Sequence, residues 1–329
     1  MPATEMTPTA LPTARIERIA DARIVPMEGG RGMPHGVFRP DDSFCAASAT
    51  LVSGGRLTVA PGLPDPDAVI HLKGRHLYAG IGRHHFGHFL VEGLGRLWAF
   101  ERHADEIDGI LIVPKHATDI EAVMHRRFLP FYSLLCDETP LWLVDRPARV
   151  DELLLPTPGF GHGAWTTATP EFRAFIRRRI AEKITPDGPE RVYVSRTRFK
   201  TPAHRMDQEE ALELAMIKAG YLSFHPEHYT LEEQCQVYMS AREIVGADGS
   251  AFHLAPFAMR PGTRVGLIQR RRRQPVFDAL AAQIRAFVDV ELHLFDPLID
   301  RAETPPTEEV PDPIDLKTLL SDLKSRGFL

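Results

Sequence analysis

The sequence predicts an α/β fold in which short apolar strands alternate with capped helices. Three observations carry this. Residues 191–268 read as strand, helix, strand, helix, strand, Gly-rich turn, helix and strand, from RVYVSR to VGADGSAFHLAPFAM and RVGLI. Residues 85–155 carry the same alternating texture. The chain's 329 residues, 43% hydrophobic and 25% charged, suit two folded domains of ordinary size. Such alternation is the signature of a parallel sheet with crossover helices.

Taken in order, residues 1–14 are rich in Thr, Pro and Ala and are expected to be disordered. Short apolar runs at 22–25, 50–52, 57–59 and 68–72 read as strands of a β-rich lead-in. Residues 85–103 carry apolar side chains at helical spacing, 109–114 (GILIVP) form a strand, and 121–135 are helical again. Strands follow at 141–144 and 153–155. The Pro-, Gly- and Thr-rich stretch 156–169 reads as an interdomain link. Thr169 and Pro170 then open a helix as cap and first-turn proline. In the second half Asp207 with Glu210, and Thr230 with Glu233, have capping-box spacing, and Gly220 closes the first of those helices. Domains are therefore expected at 15–160 and 161–295. Residues 296–329 are expected to be a linker and a C-terminal amphipathic helix that packs back across the first domain.

The net charge of −5 argues against a general nucleic-acid binder. Arg270-Arg271-Arg272-Arg273 reads as a solvated loop after a strand, with an extra contact to a polyanionic acceptor or substrate as the alternative. Cys45, Cys136 and Cys235 are odd in number, widely spaced and free of any C-x-x-C pattern, which fits a reducing compartment. The chain shows neither a secretory leader pattern nor eighteen consecutive apolar residues. The expectation is a cytoplasmic protein without a transmembrane segment, with contact at the inner membrane surface through a lipid-linked acceptor left open.

Three constellations carry chemistry. In the first, GRHHFGHFLVEGLGRLWAF (82–100), His85, His88 and Glu92 fall at i, i+3 and i+7 and share a helix face, which Arg96 continues. Such a row is poor core material, because buried charge is costly without partners. A cleft explains it better, with Glu92 favoured as general base and His88 as the second candidate, paired with it. His85, His88 and Glu92 could also supply metal ligands, although the other histidines, His162 among them, show no tight spacing with them. In the second, a strand ends at Ser195-Arg196 and is followed by Arg198, Lys200 and Arg205, cations in the usual ligand crevice of a parallel sheet. The third is the turn from Gly246 to Ser250 between an apolar strand and an apolar helix. Its backbone N–H groups and helix dipole suit an anion, most often a phosphate. No convincing acidic metal motif accompanies it, so Arg and the helix start must neutralise a leaving diphosphate.

These segments resemble the family 61 glycosyltransferases, known from capsular polysaccharide biosynthesis. The first signature reads His84-His85-Phe86-Gly87-His88-Phe89-Leu90-Val91-Glu92-Gly93-Leu94-Gly95-Arg96-Leu97. The second comprises Tyr193-Val194-Ser195-Arg196, Arg205 before Gln208-Glu209-Glu210, Glu233-Gln234, Gly246 to Phe257, and Pro261-Gly262-Thr263. The likeness spans roughly residues 80–270. It departs at Asp248, where the family carries His, and at Leu254, where the family Asn is lost or displaced to His253.

The resemblance implies a GT-B-like arrangement, two Rossmann-like domains facing a cleft. It also implies inverting, metal-independent transfer of a hexosyl or pentosyl group. The co-substrate would be a nucleotide-sugar donor, with no further cofactor. The acceptor would be a glycan, a glycoconjugate or a lipid-linked species in bacterial surface polysaccharide biosynthesis. The expected catalytic residues are Glu92, His88 and His85. Arg196, Arg205, Asp248, Gly249, Ser250, His253 and Glu233 are expected to bind donor, with Asp248 on a ribose or sugar hydroxyl. Arg96 and His84 are expected to contact the acceptor or to act as supporting residues. Two other readings remain: a metal-dependent hydrolase built on His85, His88 and Glu92, and a non-catalytic module that binds nucleotide sugar or glycan.

Overall fold

The computed structural model describes residues 10–27, 29, 32–83, 85–115, 128–299 and 310–329. His84, residues 1–9 of the expected N-terminal tail, 121–127 of the expected helix and 300–309 of the expected linker lie outside the described residues. The fold is α/β, as expected, with two compact units, Met1–Lys183 and Ile184–Leu329.

The first unit holds β1 (Ile16–Val25), β2 (Gly36–Phe38), β3 (Leu51–Val52), β4 (Arg56–Leu57), β5 (Ile70–Gly82), α1 (Phe86–Gly93), β6 (Gly109–Pro114), α2 (Leu129–Cys136), β7 (Leu141–Leu143), β8 (Ala148–Pro156) and α3 (Pro170–Lys183). Six strands form one sheet in the order β2-β1-β8-β5-β6-β7, and β3 pairs only with β4. Strands β8, β5, β6 and β7 run parallel, while β1 is antiparallel to both β2 and β8. The stretches 77–82 of β5, 109–113 of β6 and 153–156 of β8 are buried on both faces, as the covered part of a parallel sheet must be. Tyr78, Ile81, Leu111, Val113, Leu153 and Leu155 meet in one core.

Two sequence expectations fail in this unit. The helix expected over 85–103 stops at Gly93, and a 3-10 turn, Leu97–Arg102, replaces its second half. The supposed link 156–169 is a built part of the unit, and α3 belongs with it too. Phe172, Phe175, Ile176 and Ile180 of α3 are buried, and the Phe160 and Phe172 rings stack at 5.0 Å. Thr169 Oγ1 accepts the Phe172 N–H at 3.3 Å, the expected cap.

The second unit holds β9 (Arg191–Val194), α4 (Glu209–Lys218), β10 (Leu222–Phe224), α5 (Leu231–Ser240), β11 (Glu243–Ala247), α6 (Ala251–Ala258), β12 (Arg264–Ile268), α7 (Gln274–Phe287), β13 (Glu291–Phe295) and α8 (Leu316–Ser325). Its five strands are all parallel, in the order β10-β9-β11-β12-β13. The chain moves outward from β9 to β10, then returns past β9 to build β11, β12 and β13. Strands β9 and β11 therefore flank a topological switch point, where the crossover helices change side and a crevice opens at the carboxyl ends of the strands.

Capping differs from expectation at α4. Asp207 does not cap it. Gln208, in a left-handed conformation, precedes the helix, and Asp207 Oδ2 accepts the Ile314 N–H at 3.3 Å. The C-terminal helix α8 packs on the second unit, not the first: Ile314, Leu319, Leu323 and Phe328 join the core around Tyr193, Met206, Leu212 and Val245. No helix among the described residues is long and apolar enough to cross a membrane.

Candidate functional site

In the first unit, charged groups gather at the carboxyl ends of β5 and β6. Helix α1 follows β5 in the chain and buries Phe89 and Leu90 against the core, with the Phe89 ring stacked on Phe128 at 4.0 Å. That packing fixes the helix rotation and sets His88 and Glu92, one turn apart, on the opposite side. The Glu92 side chain is 0% exposed. Its Oε1 accepts N–H bonds from His88 Nδ1 at 2.7 Å and from His162 Nε2 at 2.8 Å. A carboxylate can only accept, so each imidazole carries its proton on the nitrogen facing Glu92. The remaining proton sites are Nε2 of His88 and Nδ1 of His162. Oε2 is buried without a hydrogen bond from any described residue and has Arg83 Nη1 at 3.4 Å. Burial pushes the Glu92 carboxyl up. The bonds from His162 and His88 and the charge of Arg83 outweigh this and hold it at about 2.

His162 comes from the stretch read as a link. It reaches Glu92 because residues 159–161 pass directly over Gly95. The Gly159 N–H donates to Gly95 O at 2.7 Å, and a Cβ on Gly95 would stand 2.5 Å from the Phe160 carbonyl oxygen. Only glycine allows two backbones that close. Arg83 and His162 were both missed by sequence reasoning. The usable signal was the glycine pattern, Gly93 and Gly95 in one segment and Gly159, Gly161 and Gly163 in the other.

His85 precedes α1 as its N-cap residue, and its ring centroid lies 5.1 Å from that of His88. Arg96 departs from expectation. The helix has already ended, and Arg96 points inward, where it donates to the carbonyls of Pro156, Ala47 and Ala49 at 3.1, 2.7 and 2.7 Å. It is a fully buried brace between three segments, not an acceptor contact, and burial lowers its pKa to about 10. His88 Nδ1, His162 Nε2 and a Glu92 oxygen lie within 4.8 Å of one another and could hold a metal ion. A cation would have to replace both N–H···O bonds.

Two buried groups of this unit set its acid stability. His35 is fully buried and its Nδ1–H donates to the Met33 carbonyl at 2.8 Å. Burial lowers its pKa from 6.5 to about 4. The unfolded chain then binds the extra proton first, so stability falls as pH drops from about 6.5 to 4. Glu92, lowered from 4.5 to about 2, adds stability above 4.5 that is lost as pH falls toward 2. Each contribution is up to about 3 kcal/mol. Denaturant midpoints followed against pH should fall in two stages. His35→Gln should flatten the upper stage and Glu92→Gln the lower. A single stage unaffected by either variant would remove this account.

In the second unit the carboxyl ends of β9, β11 and β12 converge. Arg196 follows β9. Its Nε donates to the His204 carbonyl at 2.5 Å, and its guanidinium lies 4.6 Å over the Phe199 ring. It also presses on Gly249, where a Cβ would collide with Nη1. Gly249 is the turn residue between β11 and α6, with Ser250 as the N-cap position of that helix. The Arg run after β12 is not a solvated loop. Arg270 is 4% exposed, and burial and the charge of Arg196 lower its pKa to about 9. Arg271 Nε lies 3.5 Å from Asp248 Oδ2. The cluster therefore unites Arg196, Arg270 and Arg271, each acting on the others' charge.

Asp248 does not meet its expected role. It is 1% exposed, its Oδ1 accepts the Arg270 N–H at 2.8 Å, and its own carbonyl accepts Arg270 Nε at 2.8 Å. It holds the arginines in place and has no exposed face for a sugar hydroxyl. Arg205 is tied to the Phe199 carbonyl at 2.7 Å and lies 3.7 Å from Glu210, so Arg270 and Arg271, not Arg205, are the cations grouped with Arg196. Glu233 completes the capping box of α5. Its Oε2 accepts the Thr230 N–H at 2.7 Å. His253 is oriented by Gln283, whose Oε1 lies 2.7 Å from Nδ1. The carboxylates of Asp248, Glu209 and Glu227 act on the charge of Arg196 beside Arg271. Guanidiniums gathered at the end of parallel strands and the start of a helix suit an anionic ligand.

Among curated proteins none matches the chain. The family model described as Glycosyltransferase 61 matches residues 86–266, more than half of the chain and everything from α1 to within β12. That span contains the His88–Glu92–His162 group, Arg196 and the Gly249 turn, and the chain belongs to the glycosyltransferase 61 family.

Proposed function

We propose that this chain is an inverting, metal-independent glycosyltransferase of the GT-B type. It would move a hexosyl or pentosyl group from a nucleotide sugar bound by the second unit to an acceptor hydroxyl activated by the first. The acceptor class is a glycan or lipid-linked saccharide of surface polysaccharide assembly. One observation carries the donor half: Arg196, Arg270 and Arg271 gathered at the switch point of a parallel sheet, beside a glycine turn and a helix start. Guanidiniums and backbone N–H groups can hold the departing diphosphate as its charge develops.

Acceptor activation requires a base. Glu92, held ionised at about 2 with both imidazoles on one oxygen, has little appetite for a hydroxyl proton at neutral pH. His88 is the better choice. Its Nδ1–H rests on the carboxylate, and its Nε2 takes the proton as the acceptor oxygen attacks the anomeric carbon and the diphosphate leaves. Glu92 orients the ring and stabilises the imidazolium that forms. His162 and Arg83 keep that carboxylate ionised.

The 4.8 Å grouping of His88, Glu92 and His162 also favours a second reading, a divalent-metal hydrolase. Thermal-shift measurements with UDP, GDP and ADP, and their sugars, test the first reading. Donor should raise the midpoint by mass action, and chelator-treated enzyme should keep its transfer activity. Activity that needs stoichiometric added Zn2+ or Mn2+ would favour the hydrolase, and donor binding without turnover a binding module.

A further inference from the structure

Two cations of the first unit stand side by side at the end of its sheet. Strands β5 and β6 run parallel and end together, with Gly82 paired to Pro114. Arg83 and Lys115 are the next residues of the two strands, and the Lys115 N–H donates to Gly82 O at 2.9 Å. Like charges at neighbouring positions of adjacent strands destabilise a sheet. Burial and then the charge of Arg83 lower the Lys115 pKa, and the charge of Glu92 opposes them less than either acts.

The carboxylate beside them is already engaged. Glu92 Oε1 accepts from His88 and His162, and Oε2 lies 3.4 Å from Arg83 Nη1. The Glu92 side chain is 0% exposed, whereas that of Arg83 is 12% exposed and Lys115 is half-buried. The negative charge lies beneath, and the cations are what a solute meets first. Arg83 Nε is buried without a hydrogen-bond acceptor among the described residues. A buried donor of this kind is retained where a ligand completes it. A neutral hydroxyl would satisfy Nε but leave two cations against one carboxylate. A carboxylate or phosphate supplies both the acceptor atom and the charge. Arg83 and His88 both rest on Glu92, so an anion at Arg83 stands within a sugar residue or so of a hydroxyl at His88.

We infer that Arg83 and Lys115 hold an anionic group of the acceptor, the carboxylate or phosphate of a charged saccharide, close to the hydroxyl that is glycosylated. This rests on the reading of the first unit as the acceptor side. It narrows the acceptor from any glycan to one that carries negative charge near its attacking hydroxyl. It also gives Lys115, which lies outside every motif of the sequence, a part in selectivity.

Calorimetry with glucuronate, glucose 1-phosphate and neutral methyl glucoside tests it, on the wild type, Lys115→Gln, Lys115→Arg and Arg196→Ala. A saturating nucleoside diphosphate, whichever of UDP, GDP and ADP binds, keeps the probes off the second unit. If none binds, the titrations run without it. The wild type should bind at least one anionic probe about 10-fold more tightly than methyl glucoside. That ratio should fall to within about 3-fold in Lys115→Gln and persist in Lys115→Arg and Arg196→Ala. A preference for glucuronate alone identifies a sugar carboxylate, and one for glucose 1-phosphate alone a sugar phosphate. The unliganded thermal midpoint of Lys115→Gln should stay level or rise, since a like-charge contact is gone, so a lost preference is not a lost fold. A wild type without the preference overturns the inference, and so does a Lys115→Gln chain that keeps it. Loss of the preference in Arg196→Ala would place the probes on the second unit and overturn it too. In each of these cases nucleotide binding still reads the donor site by itself. A preference that depends on Lys115, in a chain that binds no nucleotide, would leave an anion site without glycosyl transfer. The donor reading and the acceptor assignment would then fall together.

Discussion

His88→Asn lowers glycosyl transfer by about 10²–10⁴-fold while donor affinity stays within error of the wild type. Asn retains an N–H that can rest on Glu92, so the helix face keeps its packing, but it has no nitrogen that accepts a proton. Glu92→Gln should cost less, about 10–10²-fold, because the ring remains and only its orientation and the charge opposite it are lost. The two losses should not add. If His88 and Glu92 act as one unit, the double variant is scarcely slower than His88→Asn alone. The measurement is steady-state transfer with donor affinity followed separately by calorimetry. Full turnover by His88→Asn would remove the imidazole from the reaction. A Glu92→Gln loss that exceeds the His88→Asn loss would return the base to the carboxylate.

The difference between those two residues shows what the sequence could and could not carry. Spacing alone paired His88 with Glu92, because i and i+4 on a helix are neighbours whatever surrounds them, and the 2.7 Å bond follows from that. Nothing local says how deeply the pair is buried or what else touches it. The second imidazole arrives from 70 residues away, through a backbone crossing that only Gly95 permits. It is this long-range contact, with Arg83, that turns the carboxylate from a candidate base into a fixed charge.

The same limit explains Arg96 and Asp248. Both sit in motifs, Asp248 read as touching a ligand hydroxyl and Arg96 as an acceptor contact or a supporting residue, and each is buried on partners distant in sequence: the carbonyls around residues 47, 49 and 156, and the arginines at 270 and 271. Local signals did better where the physics is local. The strand 109–114, the Thr169 cap and the box of Thr230 with Glu233 all stand where the sequence put them.

Arg196→Ala should weaken nucleoside diphosphate binding by about 10–10²-fold and leave the fold intact. Arg196 is held on the Phe199 ring and the His204 carbonyl, and it faces Arg270 and Arg271 across the carboxyl ends of the strands. In the free protein burial lowers its pKa, while the carboxylates of Glu209 and Asp248 act against that and the charge of Arg271 adds to it. Deleting it removes the cost of burying that charge and so offsets the lost packing and pairing, and the unliganded thermal midpoint should move by only a few degrees. What disappears is the response to ligand, because an anion is what makes three adjacent guanidiniums favourable. Arg196→Lys should fall between the two, since an ammonium supplies the charge without the planar fork that grips two phosphate oxygens. Gly249→Val provides the independent check. Its Cβ would enter the space of Arg196 Nη1 and push the guanidinium off the turn, so it should reproduce the affinity loss with every arginine present. If Arg196→Ala and Gly249→Val both bind UDP, GDP and ADP as the wild type does, the phosphate does not lie at this strand end, and the arginines serve only to hold β9, β11 and β12 together.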